Sequence, residues 1–189
     1  MVEADQERDW IEQSRQGDNV AFENLIRAYQ RMIYAVAYRM TGSSADAEDL
    51  TQEAFIRGFQ QIGSFRGDAK FSSWLCRVAI NACLNWRQRE GRRAEIHQQW
   101  AGEALNEGNS GDPARDELSR TVQAALDRLP AKQRAAVILT VYEEMSHAEA
   151  AGVLGCTEAT VSWRLFAARA KLRRWLAPAA RGVVATEET

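Results

Sequence analysis

The 189-residue sequence predicts an all-α protein of two small helical domains joined by a flexible linker, the C-terminal one a helix-turn-helix. Three observations carry that expectation. Only three prolines occur, at 113, 130 and 178. No run alternates apolar and polar residues as a half-buried strand would, and apolar residues recur at three- and four-residue spacing along most of the chain. A hydrophobic content of 46% with 26% charged residues is that of a folded chain and excludes disorder as the general state.

The elements follow in order. Residues 1–17 form an acidic N-terminal segment. A first domain spans 18–90, where residues 21–40 set Phe22, Leu25, Ile26, Tyr29, Ile33, Val36 and Ala37 at helical spacing and stop at Thr41-Gly42. A second helix starts after Ser43-Ser44 and runs to about 62; the loop GSFRGDAK leads into a third, 71–89. The stretch 91–116 reads as a linker because residues 106–113 lack any apolar side chain, with a short helix expected around Trp100. The second domain, 117–176, has a helix over 118–129, another after Pro130, and two short helices separated by Leu154-Gly155-Cys156-Thr157. Residues 177–189 are expected to be a disordered tail.

The net charge of −2 conceals sorting into blocks. Residues 1–20 carry −4, 45–63 carry −3, 64–93 carry +5 and 94–118 carry −5, while 160–176 hold five basic side chains and no acidic one. Two positive segments flanking an acidic spacer suit a polyanion held at two places, although solvated helix faces would produce the same count. Catalytic signatures are missing: there is no G-x-x-x-x-G-K loop, H-E-x-x-H or G-x-S-x-G, and the only histidines, His97 and His147, lie in different segments. Neither an enzyme nor a cofactor or metal site is expected. Cys76, Cys83 and Cys156 form no C-x-x-C pair and read as small hydrophobes of a reducing compartment. No apolar stretch reaches the ~18 residues of a membrane span and the start is acidic, so a cytoplasmic protein without membrane insertion is expected.

Ser146-His147-Ala148-Glu149 is a capping box that opens a short helix. Gly155 supplies a turn, Thr157 caps the next helix, and Val161, Leu165, Ala168 and Leu172 form that helix's buried stripe. The opposite face carries Ala159, Ser162, Trp163, Phe166, Ala167 and Ala170, with Arg173 and Arg174 beyond. A recognition helix can use such aromatics against thymine methyls; the competing reading packs them on another domain. In the second helix of the first domain, Asp46, Asp49, Glu53, Ile56 and Gln60 lie opposite a wide apolar arc. This acidic stripe is either solvated surface or a docking face for a basic partner. The third helix buries Leu75, Val78, Ala79, Ala82 and Trp86 and aligns Arg77, Asn81, Asn85 and Gln88 on the other side. Asparagine is a poor helix former, so two at i, i+4 suggest base or phosphate contact. Before it, Phe65, Arg66, Lys70 and Phe71 mix rings with cations, as sites for unpaired bases do.

In GDNVAFENLIRAY, DAEDLTQEAF (46–55), FRGDAKFSSWLCRVAIN (65–81), Leu129-Pro130 with Arg134, and LGCTEATVSWRLFAARAKLR, the chain resembles the extracytoplasmic-function (group IV) sigma factors of bacterial RNA polymerase, over about residues 18–176. The resemblance implies that the first domain is sigma region 2, which melts and reads the minus-ten element, and the second is region 4, which reads the minus-thirty-five element. It implies docking to the clamp helices of the largest polymerase subunit through Asp46, Asp49, Gln52, Glu53 and Ile56, and contact of region 4 with the flap of the second-largest subunit. Minus-ten contacts fall on Ser64, Phe65, Arg66, Lys70, Phe71, Arg77, Asn81, Asn85 and Gln88. Minus-thirty-five contacts fall on Thr160, Ser162, Trp163, Arg164, Phe166, Ala167, Arg169, Arg173 and Arg174. An anti-sigma factor is an implied partner beside core polymerase and promoter DNA. The chain departs from the family pattern at Asn85, often Asp, at Gln88, often Arg, and at Ser162 and Ala167, where basic side chains are common. The competing function classes are a stand-alone helix-turn-helix regulator, which would need a dimer to read two half-sites, and a module that docks only protein.

Overall fold

The structure, a computed structural model, describes residues 4–97 and 113–184. Eight α-helices run in order: α1 Ala4–Arg15, α2 Asn19–Thr41, α3 Ser44–Gln61, α4 Phe71–His97, α5 Pro113–Asp127, α6 Ala131–Val137, α7 His147–Leu154 and α8 Glu158–Val184. A 3₁₀ turn, Ile62–Ser64, follows α3, and a π-helical turn, Ile138–Tyr142, extends α6. No strand occurs among the described residues.

The helices of the first domain begin and end where local chemistry dictates. The Asp18 carboxylate accepts from the amides of Val20 and Ala21 at 2.8 and 3.2 Å, so α2 starts two residues before the apolar periodicity does. Gly42, at φ +80°, closes α2 by donating its amide to the Tyr38 carbonyl. Ser43 caps α3 through the Asp46 amide. Leu25, Ile33, Val36 and Met40 of α2 are fully buried with Leu50, Ala54 and Phe55 of α3 and Leu75, Ala79 and Ala82 of α4.

The acidic N-terminal segment, whose structure the sequence left open, forms a helix: α1 docks on α2, with Ile11 and Ser14 buried, Ser14 Oγ donating to the Trp10 carbonyl at 2.6 Å and the Tyr29 hydroxyl donating to Glu7. Three expectations need correction. The last helix is long, not short, and α8 continues through Pro178 to Val184 where a disordered tail is expected. Ala177, Ala179 and Ala180 are strong helix formers, and proline forfeits one backbone hydrogen bond without ending the helix. The helix of the linker's first part also overruns its expected end, since α4 reaches His97. Residues 98–112, with the expected short helix at Trp100, lie outside the described residues, as do 1–3 and 185–189.

The two domains share one buried cluster. α7 and α6 pack on α4, and α5, α6 and the π turn meet α2. Consequently α4 buries Cys76, Ile80 and Cys83 on a second face as well as the expected Leu75, Val78, Ala79 and Ala82. Burial pushes the thiols of Cys76 and Cys83 up to about 12, which makes both inert hydrophobes.

Candidate functional site

Three surfaces emerge from this frame. On α3 the buried arc Ala47, Leu50, Ala54 and Phe55 turns Asp49, Gln52 and Ile56 outward, with Asp46 and Glu53 half-buried at its margins. Ile56 is 59% exposed, an isoleucine in solvent beside carboxylates. Glu53 pairs with Arg57 one turn on, which leaves Asp46 and Asp49 as the stripe's carboxylates without an ion pair among the described residues. An apolar groove of about 330 Å³ runs beside it between α2 and α3, lined by Phe22, Ile26, Phe55, Ile56 and Phe59.

The second surface belongs to α4 and the loop before it. Arg77, Asn81, Asn85 and Gln88 are all exposed and follow one another at four- and three-residue spacing. In the loop, Ser64, Arg66 and Lys70 are exposed; the two rings are not. Phe65 and Phe71, expected to stack on unpaired bases, are buried because the 3₁₀ turn at Ile62–Ser64 directs Phe65 inward. There Phe65 meets Phe71 and Trp74 at centroid distances of 5.4 and 5.5 Å, Phe71 meets Tyr29 at 5.6 Å, and the Arg15 guanidinium covers Phe65 at 5.8 Å. They are the floor that fixes the loop, not its stacking platform.

The third surface is the helix-turn-helix of α7 and α8. Both halves of the capping box form: the Ser146 hydroxyl accepts from the Glu149 amide and the Glu149 carboxylate accepts from the Ser146 amide at 2.9 Å. The bonds the carboxylate accepts, from the Ser146 amide and then the Ser146 hydroxyl, with Lys70 beside it, hold the Glu149 carboxyl down to about 2. Gly155 turns the chain at φ +58°, and Thr157 caps α8 through the Thr160 amide at 3.2 Å. Val161, Leu165 and Ala168 are buried, Leu172 half-buried. On the opposite face Trp163 is 63% and Phe166 75% exposed, with Arg169, Arg173 and Arg174 open to solvent. Neither aromatic packs on the other domain. Arg164 leans back on Cys156, its Nη1 3.4 Å from Sγ, and Ala167 is half-buried.

One contact was illegible in the sequence: His147 Nδ1 lies 2.9 Å from Ser162 Oγ, fastening the start of α7 to the outer face of α8. Among the described residues no cluster of His, Cys, Asp or Glu stands ready to hold a metal ion, and no helix is long and apolar enough to cross a membrane.

Two family signatures match the chain, Sigma-70 region 2 over residues 25–93 and Sigma-70, region 4 over residues 119–172. The RNA polymerase sigma-H factor of Pseudomonas aeruginosa is 35% identical over 188 residues, covering 94% of this chain and 97% of that one. ECF RNA polymerase sigma factor SigM of Mycobacterium tuberculosis is 39% identical over 160 residues, 85% of this chain and 79% of the relative. The chain belongs to the extracytoplasmic-function sigma factors of the sigma-70 family. Among solved structures, CnrH in complex with the cytosolic domain of CnrY superposes with a TM-score of 0.69 at 26% identity, covering 92% of this chain and 98% of that one. The protein is therefore an alternative sigma factor for transcription initiation, built of a region 2 and a region 4.

Proposed function

We propose that this sigma factor acts without catalysis of its own, in the cytoplasm, by docking core RNA polymerase through α3 and presenting α4 and α8 to the two promoter elements. The observation that carries the reading is the segregation of exposed chemistry: an acidic, isoleucine-tipped stripe on α3, an amide-rich basic strip on α4 and an aromatic, arginine-flanked face on α8. Carboxylates repel phosphate, so the α3 stripe with Asp46, Asp49, Gln52, Glu53 and Ile56 suits a basic protein surface, the polymerase clamp helices. Arg77, Asn81, Asn85 and Gln88 suit the edge of the minus-ten duplex, and Ser64, Arg66 and Lys70 the strand that opens there, above the floor of Phe65 and Phe71. On α8, Trp163 and Phe166 read bases by shape and thymine methyls, with Thr160, Ser162 and Ala167 against the groove and Arg164, Arg169, Arg173 and Arg174 on the backbone. Region 4 also meets the polymerase flap. The domain limits 18–90 and 117–176 follow the span of these surfaces, and an anti-sigma factor completes the partners.

The test is run-off transcription with purified core polymerase. Specific transcripts that need both core and this chain are expected; a chain that retains specific duplex binding alone and adds no transcript to core would make it a stand-alone regulator instead.

A further inference from the structure

α1 lies ahead of the Sigma-70 region 2 signature, which begins at residue 25, and contributes to none of the three surfaces. Yet it reaches both ends of the loop before α4. Residues 66–70 of that loop are exposed, and a buried ring stands at either end: Phe65 and Phe71, edge to face with centroids 5.4 Å apart. Two backbone bonds bracket the same stretch, the Phe65 amide donating to the Ile62 carbonyl and the Trp74 amide to the Lys70 carbonyl, both at 3.1 Å.

Each ring meets a side chain that α1 holds. At the first bracket the Arg15 guanidinium stands over Phe65, 5.8 Å from the ring centroid, and its Nη1 donates to the Glu12 carboxylate at 3.2 Å. At the second, Tyr29 of α2 packs on Phe71 with centroids 5.6 Å apart and donates its hydroxyl to Glu7. Burial, then the bond to Glu7, raises the Tyr29 phenol above its usual range, so it remains the protonated donor. Glu7 and Arg15 stand about 12 Å apart along the helix. Ile11, midway between them, is buried and seats the span on the core.

A loop that holds an unpaired strand binds it better when it is ordered beforehand, because ordering it at the moment of contact opposes binding. The exposed tip of this loop is placed only as firmly as the two rings beneath it. We infer that α1 is a brace for the loop, with Arg15 and Glu7 as positioning residues that hold Phe65 directly and Phe71 through Tyr29. The consequence for initiation rests on the proposed reading of the loop as the contact for the opened minus-ten strand: the brace presents the loop already ordered, and promoter opening then depends on a helix outside the DNA-facing strip.

Local order separates a brace from a helix that only adds stability. Full-length chain is prepared as Glu7→Ala with Arg15→Ala, and as the conservative Glu7→Gln with Arg15→Lys, in which an amide oxygen still accepts from Tyr29 and an ammonium still covers Phe65. Amide hydrogen exchange is followed residue by residue by nuclear magnetic resonance. In the alanine pair the Phe65 and Trp74 amides should exchange about fivefold faster or more, while a core amide such as that of Ile33 stays within about twofold of wild type and the conservative pair stays near wild type. If the alanine pair does not fold, Arg15→Ala alone is read at the Phe65 amide by the same criteria. Equal acceleration at all amides, no acceleration at the brackets, or a conservative pair no better than the alanine pair would overturn the brace. Open complexes with core polymerase are measured in parallel by permanganate reactivity of minus-ten thymines, beside association with core. The alanine pair should open about fivefold fewer promoters at unchanged association. Faster exchange at the brackets with undiminished opening would leave the brace standing and remove the loop from the proposed minus-ten contacts; fewer open complexes with unchanged exchange would overturn the brace.

Discussion

Trp163→Ala separates the two faces of α8. The ring is 63% exposed, so its removal should change folding stability by no more than about 0.5 kcal/mol. Leu165, two positions on, is 2% exposed, and Leu165→Ala should cost about 2–5 kcal/mol of stability. A specific base contact is worth roughly 1–3 kcal/mol of discrimination, or about 5- to 150-fold in preference. Trp163→Ala should therefore melt with the wild type yet flatten the preference at one or two upstream positions by that factor. Leu165→Ala should melt lower and weaken every promoter alike. The assay is run-off transcription with core polymerase from a library randomised across the minus-thirty-five element, beside thermal melts of both variants. Unaltered base preference in Trp163→Ala would refute the reasoning, because an exposed ring that reads no base has nothing to lose there.

Reversing Asp49 and Glu53 to lysine should weaken association with core polymerase by about tenfold or more and leave helicity intact, since desolvated interface charges carry about 2–5 kcal/mol and rim charges little; unchanged affinity by fluorescence titration would make the stripe ordinary surface. Arg173→Ala should weaken all promoters similarly and reduce the slope of log affinity against log salt by about one, the signature of a single phosphate contact. Glu149 has a folded pKa of about 2, below its usual 4.5, so its contribution to stability is complete above about pH 4.5 and lost as the pH falls toward 2. The melting-temperature gap between wild type and Glu149→Ala should accordingly narrow over that window, and a gap constant with pH would place the capping carboxylate's effect elsewhere.

What was legible in the sequence was what is decided locally. Ser43, Ser146 and Gly155 each cap or close a helix through bonds that span three or four residues, and Val161, Leu165 and Ala168 are buried by the period of their own helix. The misses came from partners distant in sequence. α1 offers only Trp10 and Ile11 as apolar contacts in its exposed charge pattern, and docking on α2 supplies the rest. The composition of the loop before α4 shows rings beside cations, but Tyr29 and Trp74 decide that Phe65 and Phe71 face inward. A signal existed for the domain contact: α4 is apolar on two faces through Cys76, Ile80 and Cys83, more than one small bundle needs. Arg134, which the family resemblance singles out without a reason, gains one from its burial between the Met40 carbonyl and Asp127.

The sorting of charge explains how a chain of net −2 can suit both a basic protein and DNA. Screening at physiological salt acts over about 8 Å, while a helix with its side chains is about 10–12 Å across, so opposite faces of one helix are electrically almost independent. A phosphate approaching Arg169, Arg173 and Arg174 responds to those residues and hardly to Asp49 on α3. At the junction of the domains only Arg134 is fully buried; burial lowers its pKa while Asp127, a third exposed, holds it at 2.8 Å, so this pair is screened less than the surface charges that set which partner each face attracts.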